Sequence, residues 1–181
     1  MMVPLYRRLL GERFEQLPPR VRELHDLRGR SVWVGRADVE RGRSWASRMA
    51  GALTSLPAAG MDQSLRVTFE VRGPEELWTR RFGSATFPSV QYERGGRLHE
   101  RAGPVTFAFT LGATAEGLTL ELAGLRAFGV PVPRSLHPAI ATFESEREGR
   151  YRFEVEARLP LFGLLVRYAG WLERAEDGAS A

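Results

Sequence analysis

The sequence predicts an α+β domain in which N-terminal helices precede a strongly curved antiparallel sheet or a lipocalin-like β-barrel of about 8–10 strands. Three observations support this fold class. Apolar and polar residues alternate along most of the chain after residue 64. Turns that contain glycine or proline interrupt this alternation at intervals of about 8–12 residues. Helical spacing of apolar residues is confined to the first third of the chain, which argues against a doubly wound parallel sheet.

The first third of the chain predicts two helices, a strand and a third helix. Residues 4–17 and 19–27 have apolar residues at helical spacing and are separated by a proline pair. Residues 31–40 predict a strand, and a helix capped by Ser44 is predicted over 44–56. We expect its apolar stripe to face the core, with the methionine as a gap filler; the stripe consists of Trp45, Met49, Leu53 and Leu56.

Nine predicted strands make up the rest of the domain. Each has two-residue periodicity or lies between turn signals, and they cover residues 64–72, 77–82, 86–93, 97–101, 105–111, 118–122, 139–146, 150–159 and 164–173. The longest irregular segment is 126–138, which contains three prolines. Loops of this kind commonly carry function, so we predict that this one is a lid or portal.

Composition limits the classes of protein that this chain can represent. Its 181 residues suit one domain, which we place at 1–175, with 176–181 as a frayed tail. Cysteine is absent, which excludes disulfides and thiolate catalysis. All 26 basic residues are arginine, and the net charge is +4 with a pI near 10.2. These arginines are interspersed with acids rather than clustered, so we expect no nucleic-acid binding.

The N-terminal residues do not resemble a secretory signal peptide, since no charged segment precedes an apolar one. No apolar run approaches the roughly 20 residues of a membrane-spanning helix. We therefore expect a cytoplasmic protein that does not span a membrane.

One strand places an arginine among aromatic residues. Trp78, Arg80 and Phe82 share a face of the predicted strand because alternate residues point to the same side. If that face is inward, the guanidinium needs a partner, and Glu100 on a nearby strand is the candidate. The arrangement is either a structural ion pair or a fork that holds a ligand carboxylate or phosphate, with Arg101 as a second cation. A third interpretation has Arg80 stacking on Trp78 at the surface.

The sequence contains no recognised catalytic or metal-binding motif. The three histidines, His25, His99 and His137, lack metal-ligand spacing, and no Gly-x-Ser-x-Gly motif is present. We expect His25 to be solvated at a helix end, and the acidic run 144–148 to be the solvated end of a hairpin. A dinucleotide fingerprint is also absent, so we expect neither a metal nor a cofactor.

Four motifs together resemble an uncharacterised bacterial domain family. They are Trp78-x-Arg80-x-Phe82, Glu100-Arg101-x-Gly103-Pro104, Pro160-Leu-x-Gly163 and Tyr168-x-Gly170-Trp171-Leu172. The family is also found as a C-terminal extension of saccharopine-dehydrogenase-like proteins. The resemblance implies a domain of unknown function, with no assigned reaction or catalytic residue. In the fused members the nicotinamide cofactor would be bound by a Rossmann unit that this chain lacks.

Three functions are compatible with the sequence. The favoured one is a non-catalytic binding domain for a small hydrophobic or lipid-like molecule, whose polar head would meet Arg80 and Arg101. The second is a hydrolase or isomerase for a small hydrophobic substrate, which requires His99 or His137 to face a carboxylate in a pocket. The third is an interaction domain that docks on a partner reductase through an exposed apolar patch.

Overall fold

The structure, a computed structural model, describes residues 3–53 and 57–175, except for the side chains of Ala50 and Leu53. It contains a closed ten-stranded antiparallel β-barrel. The helices are α1 (Leu5–Leu10), α2 (Pro19–His25) and α3 (Trp45–Leu53). The strands are β1 (Arg30–Arg41), β2 (Gly60–Arg72), β3 (Glu75–Phe82), β4 (Ala85–Arg94), β5 (Arg97–Ala102), β6 (Val105–Ala113), β7 (Leu118–Ala127), β8 (Val130–Pro131), β9 (Ala139–Arg147), β10 (Arg150–Leu159) and β11 (Gly163–Arg174).

The barrel is a closed ring of strands, because β7 pairs with β6 and the first strand, β1, pairs with the last, β11. The strand order around the wall is β6-β5-β4-β3-β2-β1-β11-β10-β9-β7, and every pairing is antiparallel. The two-residue strand β8 pairs only with β7, outside this circuit. Closure gives both edges of the sheet a hydrogen-bonding partner, which removes the exposed edges of an open sheet. The predicted fold class is therefore confirmed in its barrel form.

The two ends of the barrel differ. At the end where β1 begins, called the helical end here, α1, a 3-10 turn over 11–16 and α2 pack across the opening. Their buried side chains include Leu5, Tyr6, Phe14 and Leu24. The opposite end is called the rim end here. Its five connections are the segment with α3 and four turns or loops between strands, and α3 is the only α-helix among the residues that the structure describes at this end. The helices thus cover the interior at the helical end, and the rim end is the side from which a molecule could reach it.

Backbone contact between β1 and β11 explains one glycine. Gly170 pairs with Ala37, and a Cβ atom at Gly170 would lie 2.2 Å from the carbonyl oxygen of Arg36 and 2.8 Å from the Phe153 ring. No side chain fits in that space. The glycine in the Tyr168-x-Gly170 motif is therefore required by packing inside the barrel wall.

The structure changes several element predictions. The helix predicted over 4–17 ends at Leu10, because Gly11 has a φ of +57° and a 3-10 turn follows. Two residues of the predicted α3 stripe, Leu53 and Leu56, have side chains outside the part that the structure describes. Trp45 and Met49 are 59% and 57% exposed, so the prediction that they face the core is wrong. Periodicity showed an apolar face but not whether another element covers it.

The proline-rich segment is shorter and more ordered than predicted. Strand β7 continues to Ala127, and residues 128–138 then contain β8 and a 3-10 turn over Arg134–Leu136. The predicted tail, 176–181, lies outside the described residues. In the part of the chain that the structure describes, no helix is long and apolar enough to cross a membrane.

Candidate ligand-binding cavity

The barrel encloses a cavity of about 340 Å³. Its walls are mainly apolar, and they come from strands on all sides and from the rim-end connections; representative lining residues are Phe82, Phe87, Phe107, Leu125, Ile140 and Leu159. The volume lies within the range of about 300–1,000 Å³ that is typical of small-molecule sites. The barrel is therefore not completely filled by its own side chains.

A polar cluster of three side chains interrupts the apolar wall. Arg80 on β3, Ser89 on β4 and Glu100 on β5 all line the cavity. Arg80 Nη1 donates to Ser89 Oγ at 2.8 Å, and Arg80 Nη2 donates to Glu100 Oε1 at 3.0 Å. Ser89 Oγ donates to the same carboxylate oxygen at 2.6 Å. Because alternate residues of adjacent strands face inward together, three neighbouring strands can supply one side chain each.

The Arg80 guanidinium remains cationic inside the barrel. Burial acts to lower its pKa, but the charge and the hydrogen bond of Glu100 oppose burial, and the pKa is raised. The guanidinium carbon lies 4.9 Å from the ring centroid of Trp78, within the range of a cation–π contact. The Arg80 and Glu100 side chains keep 22% and 17% of their surface accessible. Since both residues line the cavity, the pair is within reach of a molecule bound there.

Aromatic and polar side chains close the helical end of the cavity, where Tyr6 and Trp78 line it and His25 packs against them without lining it. The rings of Tyr6 and His25 have centroids 3.8 Å apart, and Trp78 stacks beside both. Tyr6 donates its hydroxyl hydrogen to Gln91 Oε1 at 2.9 Å. His25 Nε2 lies 2.5 Å from Glu144 Oε2. These contacts attach α1 and α2 to the barrel wall.

A second buried carboxyl lies at the same end of the barrel. Glu76 is 2% exposed, and its Oε2 accepts a hydrogen bond from Trp78 Nε1 at 3.1 Å. Burial raises the pKa of Glu76, while the bond from Trp78 opposes that shift. Burial likewise raises the pKa of Tyr168 to about 12, so this phenol is neutral near pH 7.

Four of the five residues predicted for the site come together. Trp78, Arg80, Phe82 and Glu100 line one cavity, and the predicted Arg80–Glu100 ion pair is present. Stacking of Arg80 on Trp78 occurs inside the barrel, not at the surface. The prediction that Arg101 contacts a ligand is corrected, because Arg101 is exposed on the outer face of β5. It follows the inward Glu100, and successive residues of a strand face opposite sides.

Two buried residues, His25 and Glu144, lie where the sequence predicts solvated side chains. His25 is completely buried, so the expectation that it is solvated is wrong. Glu144 is 6% exposed, so the acidic run 144–148 is not uniformly solvated. The two-residue period of β9 would have placed Glu144 on the inner face together with Ile140 and Thr142. Only tertiary packing brings His25 to it.

The other two histidines do not line the cavity. The His99 ring stacks with Tyr92 at 5.4 Å, and burial lowers the His99 pKa. His137 Nε2 is 2.9 Å from the carbonyl oxygen of Val132. Within 3–53 and 57–175, no cluster of histidine and carboxylate side chains could hold a metal ion.

Comparison with known proteins supports the fold and gives a family. The model of a family described as "Domain of unknown function (DUF4166)" matches residues 17–172. The crystal structure of Rv2717c from M. tuberculosis is similar, with a TM-score of 0.50 and 16% sequence identity; the match covers 88% of this chain and 99% of that one. At that identity the likeness shows the fold alone. No curated protein matches the chain.

Proposed function

We propose that this chain, which belongs to the family described as "Domain of unknown function (DUF4166)", is a non-catalytic binding domain for a small hydrophobic or lipid-like molecule. The observation that carries the proposal is the cavity of about 340 Å³ with apolar walls and one polar cluster. Apolar walls favour a ligand that is largely hydrocarbon. The Arg80 cluster is the place where its polar end would be held.

The described contacts of Arg80 use two of the five N–H donors of a guanidinium. Further donors are therefore open to a ligand oxygen without breaking the pair with Glu100. Because Glu100 already neutralises the cation, a ligand carboxylate would bring a second negative charge to the same place. The cluster thus favours a head that accepts hydrogen bonds but is uncharged, such as a hydroxyl or a carbonyl.

Native mass spectrometry of the purified chain with two ligands of equal length tests this proposal. We expect hexadecanol to bind at least about tenfold more tightly than hexadecanoate, which corresponds to about 1.4 kcal/mol. Glu100→Gln removes the neutralising charge and should shift the preference toward hexadecanoate. Arg101→Gln is the matched control on the outer face of the same strand, and it should leave both affinities unchanged.

A second variant tests whether the cavity is the site at all. Leu125 lines the cavity and is half-buried, so Leu125→Trp should fill part of the space and reduce binding of either ligand. Binding that is unaffected by Leu125→Trp would contradict the proposal. So would a wild-type protein that retains neither ligand while remaining folded.

The enzyme alternative required His99 or His137 to face a carboxylate in a pocket, and neither residue lines the cavity. His25 does face Glu144, which lines the cavity, but the His25 side chain is completely buried between the helices and the wall and does not line it. A proton donor must reach its substrate directly or through one water. This geometry therefore supports a structural role for the His25–Glu144 pair and favours binding over catalysis.

A further inference from the structure

Exposed hydrophobic side chains are concentrated at the rim end of the barrel. Ten large hydrophobic residues are exposed in the described part of the chain, and only Val3 and Phe143 lie elsewhere. Six of the remainder define what is called the apolar rim here: Trp45, Met49, Phe128, Leu136, Leu161 and Phe162. Single exposed hydrophobic residues are normal, but a group at one end of a protein indicates an interaction surface.

The strand order makes the apolar rim continuous. The α3 connection joins β1 to β2, the turn with Leu161 and Phe162 joins β10 to β11, and β1 is paired with β11. The connection after β7, which carries Phe128 and Leu136, leads into β9, the partner of β10. Three adjacent connections thus supply the surface. Contact between the rings of Trp45 and Phe162, at 5.5 Å, joins two of them.

Two residues of the apolar rim have a backbone conformation that large hydrophobic residues rarely adopt. Leu161 and Phe128 have φ values of +63° and +51°, in the left-handed region that suits glycine or asparagine. Their side chains are 101% and 71% exposed, so packing within the chain does not compensate for the strain. Strained residues that contribute nothing to the core point to a role in function.

The charge at the rim end is positive. Six exposed arginines surround the apolar rim, and none pairs with a carboxylate of the described chain; they are Arg43, Arg48, Arg81, Arg101, Arg126 and Arg134. Few exposed acids lie there: Asp62 pairs with Arg36 at 2.9 Å, Asp38 accepts a hydrogen bond from the Asp62 backbone N–H at 2.7 Å, and Glu40 lies in the field of Arg158. Acids are more numerous at the helical end, where several arginines pair with them, as in Arg7–Glu15 and Arg20–Glu23. Four exposed arginines of that end also lack an ion pair within the described chain, so the contrast between the two ends lies in the number of acids; the four are Arg13, Arg94, Arg97 and Arg147.

We propose that the rim end docks on an anionic phospholipid bilayer. Exposed aromatic and aliphatic side chains would enter the boundary between headgroups and acyl chains, and the arginines would contact the phosphates. A second copy of the chain fits less well, because a symmetric pairing of rim ends would bring two sets of unpaired arginines together. The cavity extends to this end, because it is lined there by Leu136, Pro138 and Leu159.

The docking surface does not depend on the cavity having a ligand, so the two proposals can fail separately. The test is flotation of the full chain with vesicles of equal parts phosphatidylglycerol and phosphatidylcholine. We expect binding that high salt weakens and that pure phosphatidylcholine vesicles do not support. Trp45 fluorescence should shift to the blue on binding, and Trp45→Phe should remove most of that shift.

The most selective variant is Phe128→Asn combined with Leu161→Asn. Asparagine suits the left-handed conformation at both positions, so the variant should fold at least as stably as the wild type. Its vesicle partition should fall by about tenfold or more, since two exposed hydrophobic side chains are lost. Phe143→Asn, an exposed phenylalanine on β9 away from the rim, is the control and should leave partition unchanged.

Three results would overturn the proposal. They are an absence of binding to the anionic vesicles, equal binding to the two vesicle types, and equal losses for the rim variant and the Phe143→Asn control. A concentration-dependent dimer that the rim variant abolishes, without vesicle binding, would assign the surface to a second copy instead. A folded chain that ignores vesicles but still binds hexadecanol would overturn docking and leave the cavity proposal intact.

Discussion

Removal of the Arg80 side chain is the most informative perturbation of the barrel interior. Arg80→Met keeps a long apolar stem but leaves the Glu100 carboxylate with Ser89 as its described hydrogen-bond partner. Separating a buried pair by removing one member costs about 3–5 kcal/mol. Both side chains keep about a fifth of their surface accessible to the cavity, with 22% for Arg80 and 17% for Glu100. We therefore expect a loss at the lower end of that range, about 3 kcal/mol.

The assay is equilibrium unfolding in urea at neutral pH. A loss of about 3 kcal/mol should move the midpoint down by about 1–2 M urea. The double variant Arg80→Met, Glu100→Met removes both charges. It should recover most of the loss, because two apolar side chains replace the whole pair. Arg101→Met removes an exposed arginine from the outer face, and its effect should stay within about 0.5 kcal/mol.

Two results would refute this reasoning. If Arg80→Met has the stability of Arg101→Met, the pair is not desolvated in the way that the structure indicates. If the double variant is as unstable as Arg80→Met, the loss does not come from an unpaired carboxylate. It would then come from lost packing of the guanidinium on Trp78, 4.9 Å from its ring centroid.

Three further predictions concern other parts of the barrel. Burial raises the folded-state pKa of Glu76, so Glu76→Gln should raise the free energy of unfolding at pH 7. In urea unfolding measured against pH, this gain should vanish as the pH falls below 4.5, the ordinary pKa of a glutamate side chain, and a gain that persists in acid would contradict the prediction. Gly170→Ala should cost about 2–3 kcal/mol in urea unfolding, because its Cβ would lie 2.2 Å from a backbone oxygen. Its control is Gly124→Ala, whose Cβ would meet only one atom, at 3.6 Å, so equal losses would refute the packing argument. His25→Phe should cost about 2–4 kcal/mol and speed amide exchange in α2, because Glu144 loses its partner at 2.5 Å; unchanged exchange would show that the pair does not hold the helix.

Part of the candidate site could be predicted from the sequence because it depends on strand periodicity. Trp78, Arg80 and Phe82 are separated by two residues, so one inward residue places all three in the interior. The same rule placed Glu100 on the inner face of β5 but also required its neighbour Arg101 to face outward. The prediction of Arg101 as a second ligand contact took account of charge and ignored this alternation.

The helical contribution to the site could not be predicted in this way. Tyr6 lines the cavity and His25 packs against it because α1 and α2 fold across one end of the barrel. Their hydrogen-bond partners, Gln91 and Glu144, are 85 and 119 residues away in sequence. Nothing in the local pattern around His25 indicates which strand lies above it. Its burial follows from the tertiary contact and not from helix periodicity.

The sequence by itself determined the strands, their turns and the inward face of each, because these depend on side-chain alternation and on glycine and proline over short distances. Only the tertiary structure decided that the first strand, β1, pairs with the last, β11, to close the barrel, since pairing across that seam depends on the curvature of the whole sheet. Closure in turn left the cavity next to Arg80. It also left Trp45 and Met49 exposed at the rim, since an apolar helix face is buried only where another element covers it.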